Sequence, residues 1–231
     1  MAATGLTRPR LLDLGAGSGR IGWPFAAAGD DYVGIDLSLG MLHAYLRRPA
    51  TGNAPPRLVQ ADGRHLPFAD ATFDAVMMIQ VFGAMRGWRR LLTETRRVLR
   101  PEGVLLLGRT LAPDDGVDAR LKERLALILQ NIGVEPDRNF RDDAERWLDA
   151  AARGAPSVTV AWWNSERTPG KFLLRHRTAA RFSALPDGVK NEALRRLREW
   201  AVATFGSLDA VYSEPHAFAL RLFKFDQAAG S

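Results

Sequence analysis

Short apolar runs alternate with stretches of helical periodicity along the first 110 residues of this chain. Alternation of this kind is typical of a parallel sheet whose strands are connected by helices. The pattern predicts strands at 10–15, 32–36, 57–62, 74–81 and 104–109. It predicts helices at 19–29, 38–48 and 87–99. This part of the chain therefore belongs to the α/β class.

The pattern changes after residue 110, where helical stretches dominate. Helices are predicted at 117–133, 141–153, 168–183 and 187–205, and strands at 157–163 and 216–225. We therefore expect a single domain over 1–231, in which 8–110 forms the ligand-binding half. The remainder, 111–231, completes the sheet and adds helical insertions at 111–153 and 168–205.

The segment LLDLGAGSGRIG joins the first predicted strand to the first predicted helix. Its glycines allow the backbone to pass close beneath a ligand, where a Cβ would collide. Gly17, Gly19 and Gly22 match the dinucleotide pattern GxGxxG, but that register leaves Asp13 unexplained. Asp13, Gly15, Gly17 and Gly19 match DxGxGxG instead. A carboxylate before such a loop attracts the amine of S-adenosylmethionine (SAM) and repels the pyrophosphate of NAD.

Further motifs follow in order along the chain. Asp36 ends the second predicted strand, where a carboxylate accepts hydrogen bonds from the ribose hydroxyls of either nucleotide. Asp62 ends the third strand, within QADGRHLPFADATFDAVMM, and RRVLRPEGVLLLGR supplies a helix, a Pro-x-Gly turn and the fifth strand. Together these residues resemble the class I SAM-dependent methyltransferases, and more closely the small-molecule branch typified by the ubiquinone and menaquinone biosynthesis methyltransferases.

The resemblance covers roughly residues 8–110 and implies a fold, a cofactor and a site. The implied fold is a Rossmann-like, doubly wound sheet of seven mostly parallel strands. The implied cofactor is SAM, with S-adenosylhomocysteine as the product. The implied cofactor-binding residues are Asp13 at the amine, Gly15, Ala16, Gly17 and Gly19 at the methionine part, Arg20 at the carboxylate, Asp36 at the ribose, Leu37 and Met41 beside the adenine, Asp62 and Gly63 at its edge, and Gln80 below the sulfonium.

The C-terminal half carries a second resemblance. The segments WWNSERTPGKF, ALPDGVKNEALRRLREWA and FGSLDAVYSEPHAFALRLFKF are similar to a bacterial subgroup of stand-alone methyltransferases of unassigned substrate. Members of the family usually have one or two helices before the first strand, whereas here that strand begins within about ten residues of Met1. Either the start is shortened, or the helices within 110–153 and 168–205 cover the site.

The implied reaction is an in-line displacement at a sulfonium, in which holding donor and acceptor in line lowers the barrier by about 7–11 kcal/mol. A base is needed only if the acceptor must lose a proton. Candidates are His65 in the loop after the third strand and His176 in a C-terminal helix, with Gln80 as an orienting group. Each histidine also fits an ordinary surface or core position, so the catalytic residues stay open.

Aromatic residues and arginines provide candidates for the acceptor pocket. Phe82, Met85 and Trp88 follow the fourth strand, and Trp162 ends the sixth predicted strand. Such side chains suit a planar or lipophilic acceptor, although core packing explains them equally well. Arg175 leads a group of arginines in KFLLRHRTAAR that either holds an anionic group of the acceptor or forms a solvated helix face.

Composition narrows the choice further. The chain has no cysteine, which excludes disulfides, thiolate zinc sites and cysteine nucleophiles, and its four histidines show no metal-ligand spacing. No window reaches 18 uninterrupted apolar residues and the N-terminus lacks a signal-peptide pattern, so we expect a cytoplasmic protein without a membrane span or a metal. The net charge of +6 is spread along the chain. We expect a monomer or a homodimer.

The leading hypothesis is a methyltransferase acting on O, N or C of a small molecule. An RNA or protein methyltransferase is the first alternative, but the chain lacks the Asn/Asp-Pro-Pro-aromatic motif after the fourth strand and the cysteine of cytosine C5 methylation, so no nucleic-acid partner is expected. A nicotinamide oxidoreductase and a non-catalytic SAM-binding protein complete the alternatives.

Overall fold

The computed structural model describes residues 9–49, 56–83, 85–135, 139–177, 182 and 185–226. The chain divides into two compact units. The first unit draws on residues 1–109, 138–158 and 219–231, and the second on 110–137 and 159–218. Most of the predicted loop 51–56, and residues 178–181 and 183 of the predicted helix 168–183, lie outside the described residues.

Strands and helices alternate through the described chain. The strands are β1 (Leu11–Leu14), β2 (Tyr32–Asp36), β3 (Arg57–Gln60), β4 (Phe73–Ile79), β5 (Leu99–Leu111), β6 (Ala152–Gly154), β7 (Val158–Arg167) and β8 (Tyr212–Phe225). The helices are α1 (Trp23–Ala27), α2 (Leu39–Leu46), α3 (Trp88–Val98), α4 (Val117–Asn131), α5 (Arg141–Ala151), α6 (Pro169–Arg177) and α7 (Asp187–Phe205).

The sheet has the doubly wound order that the sequence predicts. Seven of the described strands lie in the order β3-β2-β1-β4-β5-β8-β6. Pairing is parallel from β3 through β2, β1 and β4 to β5, and antiparallel between β6 and β8. The strand order reverses at β1: β2 and β3 lie on one side of β1, and β4 and β5 lie on the other. In doubly wound sheets, ligands bind outside the carboxyl ends of the strands at this reversal. The predicted α/β class and mostly parallel sheet are confirmed.

The edge of the sheet differs from the prediction. The segment 157–163 is a strand, β7, but it pairs with β8 off the main order, and the place beside β8 at the sheet edge belongs to β6. Most residues of β7 are exposed, so its alternating pattern does not mark a buried sheet position. Three-residue β6 is too short to give a pattern of its own, which is why the sequence extends the preceding helix to 153.

Several element boundaries also differ from the prediction, among them those of α1 and β5. The first helix is limited to α1, because the chain from Gly19 to Gly22 forms turns before it. β5 begins at Leu99 rather than at residue 104, and the Pro-x-Gly segment forms an irregularity within it: Phe73 of β4 pairs with Leu99, while Ala75 already pairs with Val104. The extra residues bulge out of the ladder instead of ending the strand.

The first unit packs apolar side chains on both faces of its sheet. Leu12, Val76 and Leu105 are fully buried in one cluster with residues of α3 and α5. Tyr32 and Tyr45 belong to a smaller cluster on the other face, against α1 and α2. Parallel strands buried on both faces are nearly continuous apolar runs, as β1 and β4 are here. The buried Asp13 interrupts one such run.

The second unit is built around three helices. α4 buries Val117, Leu121, Leu125 and Ile128, which lie at the spacing of one helix face. α7 buries a matching stripe that includes Leu197, and α6 contributes Phe172. The carboxylate of Glu214 accepts a hydrogen bond of 2.6 Å from the backbone N–H of Val117 at the first turn of α4. A carboxylate there satisfies a helix N–H that lacks an intrahelical partner.

No helix in the described part of the chain has the length and apolar character needed to cross a membrane. No group of three or more histidines and carboxylates there is arranged to hold a metal ion.

Candidate cofactor site

The glycine-rich turn follows β1 at the carboxyl edge of the sheet. Gly15, Gly17 and Gly19 have φ angles of +83°, +55° and +76°, a region that side chains other than glycine rarely adopt. The backbone N–H groups of Gly15 and Ala16 both donate to the carbonyl of Ile35 in β2, at 2.9 Å. The turn is thereby fixed against the end of the neighbouring strand.

Asp36 connects this turn to the end of β2. One oxygen of its carboxylate accepts from the Gly17 N–H at 2.8 Å, and the other accepts from the Ser38 N–H at 2.8 Å. A carboxylate oxygen has two acceptor positions, so each keeps one for a further donor. Ser38 in turn caps α2, its hydroxyl accepting from the Met41 N–H at 3.3 Å. The carboxylate is half-buried and suited to accept from a diol.

Apolar side chains next to Asp36 are exposed. Leu37 is 69% exposed and Met41 is 50% exposed. The side-chain amide of Gln60, at the end of β3, donates to the Leu37 carbonyl at 3.2 Å and fixes this segment. Large apolar groups beside a carboxylate that can bind ribose provide a surface on which a flat base can lie.

Asp62 has a protein partner. Its carboxylate accepts from Nε and an Nη of Arg64 and from the Arg64 backbone N–H, at 2.6–3.0 Å. The Arg64 guanidinium lowers the pKa of Asp62 to about 2. A Cβ on Gly63 would lie 2.6 Å from Leu91, so this glycine also serves core packing. His65 is exposed and forms the same turn through its backbone N–H.

Gln80 follows β4 directly and has an unusual backbone. Its φ is +59°, and its N–H donates to the carbonyl of Gly108 in β5 at 2.9 Å. Left-handed backbone in a residue other than glycine costs about 1–3 kcal/mol and is concentrated at functional sites. Arg20, from the glycine turn, donates to the Gln80 side-chain oxygen at 3.4 Å. The structure thus brings together two residues that the sequence separates by 60 positions.

Asp13 lies beneath the turn. Its carboxylate is buried and accepts from the Tyr32 hydroxyl at 2.8 Å. Burial raises the pKa of Asp13 to about 6, against the lowering effect of the Tyr32 hydrogen bond. The sequence leads us to expect this carboxylate beside a ligand amine, and the structure instead gives it a tyrosine partner. Its contact with an amine stays a prediction.

Replacing Asp13 with asparagine should change how stability depends on pH. The pKa of Asp13 is raised from 3.8 to about 6. At 1.36 kcal/mol per pKa unit, ionisation costs the folded state about 3 kcal/mol. Well below pH 3.8 both states are protonated and the cost is absent; the cost develops as the pH rises from 3.8 to about 6 and stays constant above that. Asparagine keeps an acceptor for Tyr32 and has no such cost.

Denaturant unfolding at pH 4 and pH 7 measures this effect. The stability of the Asp13→Asn variant relative to the wild type should rise by about 2 kcal/mol between the two pH values, because the unfolded chain has already ionised part of its Asp13 at pH 4. Asp209→Asn, at an exposed carboxylate, is the control and should show no such rise. A pH-independent difference between wild type and Asp13→Asn would contradict the assignment.

Three residues that support the glycine turn were not predicted from the sequence. Tyr32 holds Asp13, and the Tyr45 ring occupies the space into which a Cβ on Gly19 would project, at 2.4 Å. The Arg48 Nε donates to the carbonyl of Ser18 at 2.6 Å, within the turn. Tyr32 opens a strand, Tyr45 lies in α2 and Arg48 follows α2, and none of these positions gives a local signal of support for a loop 15–30 residues away.

The acceptor-pocket candidates of the first unit are core residues. Phe82 and Trp88 are each 3% exposed within the main cluster, and Trp88 packs edge-on against Trp147. Met85 packs against the same cluster and is partly buried. Core packing, the alternative that the sequence left open, accounts for Phe82 and Trp88, and a place for either in an acceptor pocket stays a prediction.

The acceptor-pocket candidates Trp162 and Arg175 and the base candidate His176 lie in the second unit and differ in exposure and contacts. Trp162 is 73% exposed, and Arg175 forms a bidentate pair with Asp118 at 2.8 and 2.9 Å. His176 stacks on Phe172 with ring centroids 3.8 Å apart, and its Nδ1 lies 3.1 Å from the Phe172 carbonyl. Burial lowers the pKa of His176. These contacts give Arg175 and His176 structural roles within the second unit.

Comparison with known proteins identifies the family of this chain. A protein-family profile described as a methyltransferase domain matches residues 12–107. A demethylmenaquinone methyltransferase from Clavibacter sepedonicus is 40% identical over 188 residues, which is 78% of this chain and 73% of that protein. An uncharacterized methyltransferase from Mycolicibacterium gilvum is 30% identical over 197 residues, covering 75% of this chain and 76% of that protein.

Other matches cover less than half of the relative's length or show a similarity of fold alone. With several further curated relatives the match spans 43–45% of their length. The solved structure of a SAM-dependent methyltransferase from Methanosarcina mazei superposes with a TM-score of 0.54 at 14% identity, covering 96% of this chain and 94% of that one. The relatives that match over most of their length decide the family. This chain belongs to the methyltransferase domain family, and its cofactor is SAM.

Proposed function

We propose that this protein transfers a methyl group from SAM to O, N or C of a small-molecule acceptor. The observation that carries the proposal is the Asp36 carboxylate, which fixes the glycine turn through Gly17 and keeps acceptor positions toward the carboxyl edge of the sheet. The whole arrangement lies at the strand-order reversal, where α/β sheets bind their ligands.

The residues around this carboxylate fit SAM in its separate parts. Asp36 would accept from the ribose hydroxyls, and the exposed Leu37 and Met41 would lie against the adenine. The glycine turn allows the methionine part to approach the backbone. Arg20 offers a guanidinium to the carboxylate of SAM, and Gln80 holds that guanidinium in place. Asp62 follows β3 two residues after Gln60, where it pairs with Arg64 and would meet the adenine edge.

The chemistry demands positioning more than acid–base catalysis. SAM supplies a methyl group bonded to a positively charged sulfur. When the acceptor takes the methyl group, the bond to that sulfur breaks and S-adenosylhomocysteine leaves. The protein's part is to hold both partners in line, and the hydrogen bonds that fix the glycine turn and the Gln80 backbone support that positioning. His65 and His176 stay weak candidates for a base, because one is exposed and the other is stacked within the second unit.

A planar or lipophilic acceptor is the class we favour. The Clavibacter sepedonicus relative is named a demethylmenaquinone methyltransferase, and its match covers most of both chains. An RNA or protein acceptor has no comparable support. One assay, which measures transfer of a labelled methyl group, distinguishes small-molecule, RNA and protein acceptors.

The test is a methyl-transfer assay with methyl-labelled SAM. Quinols, phenols and amines form one set of acceptors, and transfer RNA and unfolded protein form two others. We expect label in a small molecule, together with equimolar S-adenosylhomocysteine. Label only in RNA or protein would overturn the small-molecule class. SAM binding without transfer to any acceptor would favour a non-catalytic SAM-binding protein, and tight NADH binding in place of SAM would refute the site.

A further inference from the structure

A cavity of about 270 Å³ lies within the first unit, beside the end of β5. Its lining includes three arginines and one glutamate, contributed by β5, α5 and β8: Arg109, Arg141, Arg221 and Glu145. Gly108 and Ser157 contribute small or polar groups to the wall. Gly108 pairs with Ile79, the last residue of β4, so the cavity lies at the level where β4 ends.

The charges of this cavity are not balanced. Arg221 is paired with Asp149, and its Nε donates to the Ala155 carbonyl at 3.2 Å. Arg109 and Arg141 are half-buried, and within the described residues neither guanidinium forms a hydrogen bond or an ion pair. Glu145, from the same cavity, and Asp142 both attract Arg141, but burial, which is the largest effect, and the charge of Arg109 together lower the pKa of Arg141. Two guanidiniums without an ion pair therefore share the cavity lining with one glutamate.

The cavity adjoins the proposed methyl-transfer site through the backbone. The Gly108 carbonyl accepts from the Gln80 N–H at 2.9 Å, and Gln80 is the residue that Arg20 contacts from the glycine turn. On the other side, the N–H of Phe140 donates to the Gly83 carbonyl at 3.2 Å, which ties the start of α5 to the loop after β4. Arg109 and Arg141 are thus held close to the strand ends at which the acceptor would react.

We propose that this cavity, the Arg109–Arg141 cavity, binds an anionic group of the methyl acceptor, either a carboxylate or a phosphate. The proposal rests on the proposed methyl transfer and adds the substrate class. Guanidiniums removed from water without a partner are costly, and a bound anion offsets that cost through charge-assisted, often bidentate hydrogen bonds. Arg175, for which the sequence left open a role in holding an anionic group, instead forms an ion pair with Asp118.

Ligand-observed NMR and calorimetry test the cavity with three probes. Benzoate presents a carboxylate, phenyl phosphate presents a phosphate, and benzamide is the neutral match. We expect at least one anionic probe to bind about tenfold or more tightly than benzamide. Preference between benzoate and phenyl phosphate then identifies the anion. Equal binding of all three probes would overturn the proposal.

Arg109→Gln and Arg141→Gln should each weaken the anionic probe about tenfold and leave benzamide unchanged. Arg109→Lys keeps the charge and should retain part of the affinity, which guards against a variant that merely misfolds. Arg146→Gln, on the same helix as Arg141 but exposed and paired with Asp143, is the matched control. Undiminished anion affinity in folded Arg109→Gln and Arg141→Gln would refute the cavity.

SAM titration of the same samples separates this proposal from the proposed function. The arginine variants should bind SAM with wild-type affinity. Failure of the wild type to bind SAM would count against methyl transfer, whereas anion binding without selectivity would count against the Arg109–Arg141 cavity alone. Transfer to a neutral acceptor at the same rate as to its anionic match would leave the methyltransferase intact and overturn the cavity.

Discussion

Replacing Asp36 with alanine is expected to lower SAM affinity at least about 100-fold. The substitution removes the acceptor for the ribose and also releases the Gly17 N–H and the Ser38 N–H that the carboxylate now holds. A hydrogen bond to a charged group contributes about 1.5–3 kcal/mol, and about 1.4 kcal/mol corresponds to a tenfold change in affinity. Loss of the two hydrogen bonds from the ribose hydroxyls to Asp36 is therefore sufficient to lower the affinity about 100-fold. Isothermal titration calorimetry with SAM measures the effect.

The controls for this experiment separate binding from folding. Asp36→Asn keeps one acceptor oxygen and should lie between the wild type and alanine. Asp209→Ala removes an exposed carboxylate of the second unit and should bind SAM normally. Circular dichroism establishes that each variant is folded. If folded Asp36→Ala bound SAM within threefold of the wild type, the ribose assignment would be wrong.

Replacing Gly19 with alanine is expected to destabilise the fold by about 3 kcal/mol or more. Its φ of +76° is left-handed, which costs a residue with a Cβ about 1–2 kcal/mol. The new Cβ would also lie 2.4–2.6 Å from the ring of Tyr45, a fully buried side chain, and overpacking of a core adds about 1–3 kcal/mol. Denaturant unfolding followed by circular dichroism measures the loss.

A glycine in open surroundings provides the matched control. Gly188 lies in α7, and a Cβ there meets no atom within 4 Å. Gly188→Ala should therefore stabilise the protein by about 0.5 kcal/mol, because alanine restricts the unfolded chain and favours the helix. Equal effects at both positions would show that the contact between the turn and Tyr45 has no energetic importance.

Elements with strong local patterns were predicted well. β2 at 32–36 and α7 at 187–205 have the bounds that the sequence predicts, and Ser38 caps α2 as expected. An apolar run between polar residues, a helical period and a capping serine all act within a few residues. β6 escaped prediction because three residues carry no period, and its place at the edge depends on pairing with the distant β8.

The candidate cofactor site likewise contains residues that a local pattern predicts and residues that only tertiary contacts bring together. Asp36 and the glycine turn follow from spacing, since each lies at the end of a predicted strand. The supports beneath them, Tyr32 for Asp13 and Arg48 for the turn carbonyl of Ser18, are contacts between distant segments. Phe82 and Trp88 follow the fourth strand as aromatic residues do near many sites, and only packing shows that both are core.

The sequence by itself determined the α/β class and the SAM-binding motif, because these depend on local periodicity and on residues at strand ends, and the resemblance of its motifs pointed to the family and to a doubly wound sheet. Only the tertiary structure decided which charges are neutralised. It paired Arg175 with Asp118, buried Asp13 against Tyr32, and left Arg109 and Arg141 together at one cavity. Side-chain burial and ion pairing depend on which segments meet in space, and no local pattern along the chain records that.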